Sequence, residues 1–167
     1  GMAINNRGVV TGSFDDSARP FRWSSTNGVE DLGVTPALPS PSSGRVLNDA
    51  GLIAGAITID DERNRAFVWT RAGGLVDIDT LGSYESAPVA VGGRGEVAGN
   101  RLASPDDGGD RPFLWTRATG MVDLGIGHGT TAWVNAMTPG LHIVGGIGYA
   151  DGRQRAMSWT RQGGMRE

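Results

Sequence analysis

Carboxylates are the side chains in this sequence best placed to do chemistry. They gather in four short stretches: Asp15-Asp16-Ser17, Asp60-Asp61-Glu62, Asp106-Asp107 with Asp110, and Asp151. Clustered oxygen ligands suit a hard cation such as calcium. Two carboxylates flanking a glycosidic bond suit sugar hydrolysis. No stretch has the alternating ligand spacing of a dedicated calcium loop, and nothing selects a catalytic pair among the 18 acids. Solvated loop tips are therefore the favoured explanation of the carboxylates, with the metal question open. His128, within Gly125-Ile126-Gly127-His128-Gly129, is one of two histidines. It is the acid–base candidate because imidazole titrates near neutral pH. The surrounding glycines suggest a phosphate cradle, but no helical pattern follows, and that mechanism needs a helix N-terminus. The segment reads as a loop between units. His142 falls in a strand-like run and reads as structural.

Several chemistries are excluded by composition. All 15 basic residues are arginine, which removes Schiff-base chemistry and a Walker-type phosphate lysine. There is no cysteine, hence no disulfide, zinc thiolate or thiol nucleophile. A net charge of -3 offers no basic footprint for nucleic acid. No apolar run approaches the roughly 18 residues of a membrane span. Gly1-Met2-Ala3 lacks the charged and apolar regions of a signal peptide, and Gly1 reads as an expression scar. No cofactor fingerprint occurs, and no cofactor is expected.

Two further polar sets recur. Arg19, Arg65, Arg111 and Arg155 each precede an aromatic strand, and Asp31, Asp77 and Asp123 each follow one. The arginines have the fork geometry to hold an acidic ligand, and the aspartates could serve as metal or catalytic carboxylates. A structural role is expected instead. A catalytic group has no reason to be copied into every unit, whereas an ion pair or a cross-strand bond to an indole or arginine recurs with the fold.

The elements that must position these groups are repeats. Tryptophans stand at Trp23, Trp69, Trp115 and Trp159, in steps of 46, 46 and 44 residues. Each copy contains a short apolar run, a tight turn and a second run ending on Gly12, Gly55, Gly99 or Gly145. An acidic loop, the tryptophan strand, a glycine turn and a fourth run follow. Asn, Asp and Gly suit the tight turns because they tolerate positive φ. A glycine inside a strand marks a bulge or a close backbone approach, with the neighbouring copy as the expected partner. Phe67 and Trp69 share one strand face while Ala66 and Val68 share the other, so both faces are apolar. Arg22 and Ser158 replace Val68 in copies one and four, which predicts a wetter face there.

These patterns predict an all-β protein of four four-stranded units in a β-propeller-like array. It forms one domain over residues 1–167, with repeats at 2–42, 43–87, 88–131 and 132–167. The stretch 33–43, with Pro36, Pro39 and Pro41, is expected to be an extended link. Aromatic residues at fixed places would supply packing between blades. Two closures stay open: a four-bladed ring, or half of a larger propeller. The short first strand of copy one and last strand of copy four favour the half, which two copies could complete as a homodimer.

The chain resembles the HAF repeat family of predicted extracellular bacterial proteins. The matching residues are Ile4-Asn5-Asn6-Arg7-Gly8 with Val9 to Gly12, Ala66-Phe67-Val68-Trp69, and Gly120-Met121-Val122-Asp123-Leu124-Gly125. The resemblance covers essentially the whole chain and implies a propeller-like, exported protein, extracellular or periplasmic. It implies no reaction. The family's histidine is arginine in all four copies here, so no imidazole chemistry carries over.

The functional expectation is a non-enzymatic binding or scaffold module for a glycan or protein ligand. Contacts are expected in loops of one propeller face, at Asp15, Asp16, Asp60, Asp61, Glu62, Asp106, Asp107, Asp110, His128 and Asp151. A carbohydrate-active hydrolase using the acidic loops and a spacer without ligand are the alternatives. No nucleic acid is expected as a partner, and no membrane span.

Overall fold

The computed structural model describes residues 1–14, 19–33, 42–59, 63–106 and 108–167. Asp15, Asp16, Asp60, Asp61, Glu62, Asp107 and the link at 34–41 lie outside the described residues. Sixteen strands follow in order. The first sheet holds β1 (Ala3–Ile4), β2 (Val10–Ser13), β3 (Pro20–Ser24) and β4 (Gly28–Asp31). The second holds β5 (Ser42–Leu47), β6 (Ile53–Thr58), β7 (Asn64–Thr70) and β8 (Gly74–Asp77). The third holds β9 (Glu85–Val91), β10 (Val97–Leu102), β11 (Arg111–Thr116) and β12 (Gly120–Asp123). The fourth holds β13 (Thr131–Met137), β14 (Ile143–Gly148), β15 (Gln154–Thr160) and β16 (Gly164–Arg166). Every sheet is a four-stranded antiparallel meander in chain order, and no helix occurs among the described residues.

Each tryptophan strand ends in the same device. The hydroxyl of Ser24, Thr70, Thr116 or Thr160 accepts the backbone N–H three residues on, at 3.0–3.2 Å. The next residue is Gly28, Gly74, Gly120 or Gly164, with φ of 67, 63, 68 and 62°. Only glycine adopts that left-handed backbone at no steric cost, so the turn returns the chain directly into the fourth strand.

The first strands begin at Ser42, Glu85 and Thr131, earlier than repeat boundaries at 43, 88 and 132 suggest. The ladder continues through a one-residue bulge in each: the register shifts between Gly44 and Val46, beside Gly99, and between Val134 and Ala136. The shared glycines sit opposite these bulges. A Cβ on Gly145 would lie 1.7 Å from the Trp133 carbonyl oxygen, and one on Gly99 2.2 Å from that of Ala87. The close partner is therefore the first strand of the same sheet, not the neighbouring copy. Gly145→Ala is expected to destabilise the protein by about 1–3 kcal/mol through forced backbone displacement, read as an earlier urea midpoint. An unchanged midpoint would show that the bulge moves freely.

Successive sheets pack face to face by one rule. Trp115, Phe113, Met121 and Val97 of the third sheet meet Ala54, Ala66 and Val68 of the second in one buried cluster. Ala98 and Leu114 on the other side of the third sheet meet Val134, Ile143 and Trp159 of the fourth. Each sheet thus lays its tryptophan face on the opposite face of the sheet before it. The first pair obeys the rule with polar groups. Thr11 is fully buried at Gly44, and Arg22 lies in a cleft with Trp69. Glu30 bonds Arg22 within the sheet and Arg71 of the next at 2.7 Å. Burial opposes ionisation of Glu30, but the bonds from Arg71 and Arg22 win and hold its carboxyl below the ordinary range. Its contribution is full above the ordinary glutamate value of 4.5 and fades as pH falls through the depressed value.

The strands β5, β9 and β13 each pack on the three leading strands of the preceding sheet. The outward faces of the first and fourth sheets are uncovered, and no closed ring is formed among the described residues.

Candidate functional site

The recurrent arginines and aspartates pair with each other inside each sheet. Arg19 meets Asp31 at 2.5 Å, Arg65 meets Asp77 at 3.1 Å, and Arg111 meets Asp123 at 3.8 Å. In the fourth unit Arg155 meets Glu167 at 3.8 Å. The register explains this: each aspartate lies opposite the phenylalanine two residues beyond its arginine. The second carboxylate oxygen accepts the N–H of Gly33, Asp79 or Gly125 at 2.7–2.9 Å. That bond steers the chain out of the fourth strand towards the next sheet. Burial pushes the Asp77 carboxyl above its ordinary range, against the opposing pull of the Asp79 N–H and Arg65. These groups are engaged in contacts within their own sheets.

The meander fixes where loops can lie. Loops joining second to third strands, and links between sheets, emerge at one end of the strands; the other turns emerge at the opposite end. The first end carries Asp106, Asp110, His128 and Asp151, all exposed. They do not converge. Asp151 is bound to Arg153 of its own hairpin tip at 2.6 Å. His128 borders a cavity of about 300 Å³ with Met165, Arg166 and Glu167. Asp110 borders a separate cavity of about 290 Å³ with Arg45, Asn64, Glu85 and Asn100. Among the described residues no three His, Asp or Glu side chains could hold a metal ion together. His142 is not inside a strand. It precedes β14, is exposed, and its N–H donates to the Thr138 hydroxyl at 3.1 Å.

The turn end holds the larger clefts. Its turns carry Arg7, Arg71, Arg94, Arg117 and Arg161 against two carboxylates, Asp49 and Glu96. Both acids are committed locally. Asp49 accepts the Asn6 backbone N–H at 2.9 Å and its amide at 2.8 Å, bonds that hold its carboxyl below the ordinary range. Glu96 accepts the Arg94 backbone N–H at 3.2 Å. A cleft of about 740 Å³ between the third and fourth sheets is bordered by Arg94, Glu96, Pro139, Leu141, Arg161 and Gln162. A second, of about 390 Å³, is bordered by Arg22, Leu52, Trp69, Arg71 and Arg94. Arg94 borders both, so the two clefts are neighbours at this end. Among the described residues, the guanidinium groups of Arg94 and Arg161 have no hydrogen bond or ion pair. Leu141, in the larger cleft, has φ of 65°, and no other described non-glycine residue has a positive φ. A branched side chain in that region is strained. The strain is held because the leucine packs into the cluster between the third and fourth sheets.

Sequence reasoning missed the polar clasps between sheets. The Asn5 amide donates to the Asn48 carbonyl at 3.0 Å, and the Asn48 amide donates to the Gly92 carbonyl at 2.9 Å. Asn100 brackets Val134 of the next sheet, accepting its N–H at 2.7 Å. The recurrence of Asn5 and Asn48 at one repeat position was the available signal. Comparison with family models and with curated proteins returned no match.

Proposed function

We propose that this chain is a non-enzymatic binding module of propeller-like, HAF-like repeats, exported as the resemblance implies, whose ligand is an anionic glycan lying across the turn end. The observation that carries the reading is the pair of neighbouring clefts that share Arg94, with the unpartnered guanidinium groups of Arg94 and Arg161 at their edge. A guanidinium fork matches a carboxylate or sulfate bidentately. Gln162 and Thr160 supply partners for hydroxyl groups, and Leu141 and Trp69 offer apolar surface to a sugar ring. The larger cleft is mostly polar and open to solvent, which suits a hydrated saccharide better than the apolar anchors of a peptide. This end is opposite the acidic loops, whose carboxylates would repel such a ligand.

Calorimetric titration with oligogalacturonate tests the reading. Arg94→Ala and Arg161→Ala are each expected to weaken binding about 10- to 100-fold, the worth of one charge-assisted hydrogen bond. Added salt is expected to weaken binding in the wild-type protein, and Asp151→Asn to leave it unchanged. Failure to bind oligogalacturonate and a sulfated oligosaccharide, or binding of polyglutamate alone, would overturn it. A second reading, a carbohydrate-active hydrolase, has one observation in its favour: Glu85 and Asp110 border the same cavity. Turnover of a glycan lost in both Glu85→Gln and Asp110→Asn would establish it.

A further inference from the structure

The first and fourth sheets each leave one uncovered face, and the two are of opposite kind. On the first sheet, Ile4, Val10, Trp23 and Val29 form one cross-strand row. Ile4 is 69 % exposed, Val29 56 % and Trp23 39 %, whereas the equivalent Trp115 is 8 % exposed under the second sheet. On the fourth sheet the row is Ala136, Val144, Ser158 and Arg166. Val144 is 40 % exposed, while Thr11, Ala54 and Ala98 at its position in the other sheets are fully buried. Trp133 adds apolar area to this face, its ring lying over Gly146 at a distance that leaves no room for a Cβ.

Within the chain, a tryptophan face is covered three times by the opposite face of another sheet. We propose that a second copy of this chain continues the rule. The Val144–Ser158 face of one protomer covers the Trp23 face of its partner, and the partner covers the first protomer in the same way. A second copy carries both free faces, so one head-to-tail contact used twice leaves no face open and closes eight sheets into a ring. Polarity of the Ser158 face is no obstacle. The Thr11 and Arg22 face of the first sheet is covered by the second sheet, with the Arg71–Glu30 ion pair across the junction. This inference is independent of the glycan reading.

Sizing chromatography with light scattering tests it. The wild-type chain is expected at twice the protomer mass of 17.4 kDa. Trp23→Glu and Val144→Glu are each expected at the protomer mass, with unchanged circular dichroism because both sites are exposed in the protomer. Mixing the two variants restores one intact contact, the free fourth sheet of Trp23→Glu against the free first sheet of Val144→Glu. The mixture is expected to return a dimer. A wild-type monomer across a concentration series would overturn the proposal and leave both faces to a different partner. A Val144→Glu variant that stays dimeric would overturn it in favour of tryptophan faces meeting each other. Open-ended oligomers would overturn the two-copy ring.

Discussion

Replacing Trp115 with alanine is expected to remove about 3–5 kcal/mol of unfolding free energy, the cost of emptying a large aromatic site. Trp115 stands between the second and third sheets with Val68, Ala54, Ile78 and Met121 around it, and is 8 % exposed. A domain of ordinary stability has about 5–15 kcal/mol in total, so this one substitution brings the protein near unfolding. Trp23 occupies the same position in the first sheet but is 39 % exposed. In Trp23→Ala, measured in dilute solution where protomers are separate, the loss is expected to be less than half as large. The comparison isolates coverage by the preceding sheet, because repeat position and residue type are held constant. Urea denaturation followed by far-ultraviolet circular dichroism gives both values. Equal losses would mean that the sheets do not hold together through their tryptophan faces.

The second large effect is expected at Asp79, which no repeat pattern marks. The residue is 5 % exposed at the start of the link between the second and third sheets. Its carboxylate accepts the N–H groups of Leu81 and Ser83 at 3.2 and 3.3 Å, and the hydroxyls of Ser83 and Ser86 at 3.2 and 2.8 Å. Ser86 in turn accepts the Ala66 N–H of β7 at 3.0 Å, and Arg65 donates to the Asp79 carbonyl at 2.8 Å. Asp79→Ala strands several buried donors at once, and each orphan costs about 1–3 kcal/mol. Partial rehydration brings the expected loss to about 3 kcal/mol. Asp79→Asn, which keeps the shape and one acceptor oxygen, is expected to lose less. Amide exchange at Leu81 and Ser83 is expected to accelerate in Asp79→Ala well beyond the global change. Exchange that rises only with overall stability would show that the link is held by other contacts.

The sequence made the repeats legible because the tryptophan spacing and the glycine turns are local signals. Hairpin turns and strand alternation act within a few residues, and they place the third and fourth strands, such as β7 and β8, to within a residue. The recurrent Arg and Asp sets were open to a structural role on the same grounds, since their separation matches an antiparallel hairpin. What was not legible depends on distant parts of the chain. The bulges at Pro88–Ala90 and Val134–Ala136 lengthen the first strands, and only the opposing Gly99 and Gly145 hint at them. Arg94 and Arg161 look like isolated turn residues in sequence. They come to one end only because a meander sends alternate turns the same way, and a net charge of -3 conceals that separation. Asp106, Asp110, His128 and Asp151 share an end by the same topology, yet side-chain positions keep them apart.

Hydrogen exchange with and without oligogalacturonate tests the proposed ligand contact at the turn end directly. Binding is expected to slow amide exchange at residues 92–96, 139–142 and 160–163, and to leave Asp106, Asp110 and Asp151 unchanged. Slowed exchange at those three aspartates, with none around Arg94 and Arg161, would contradict it and return the site to the acidic loops.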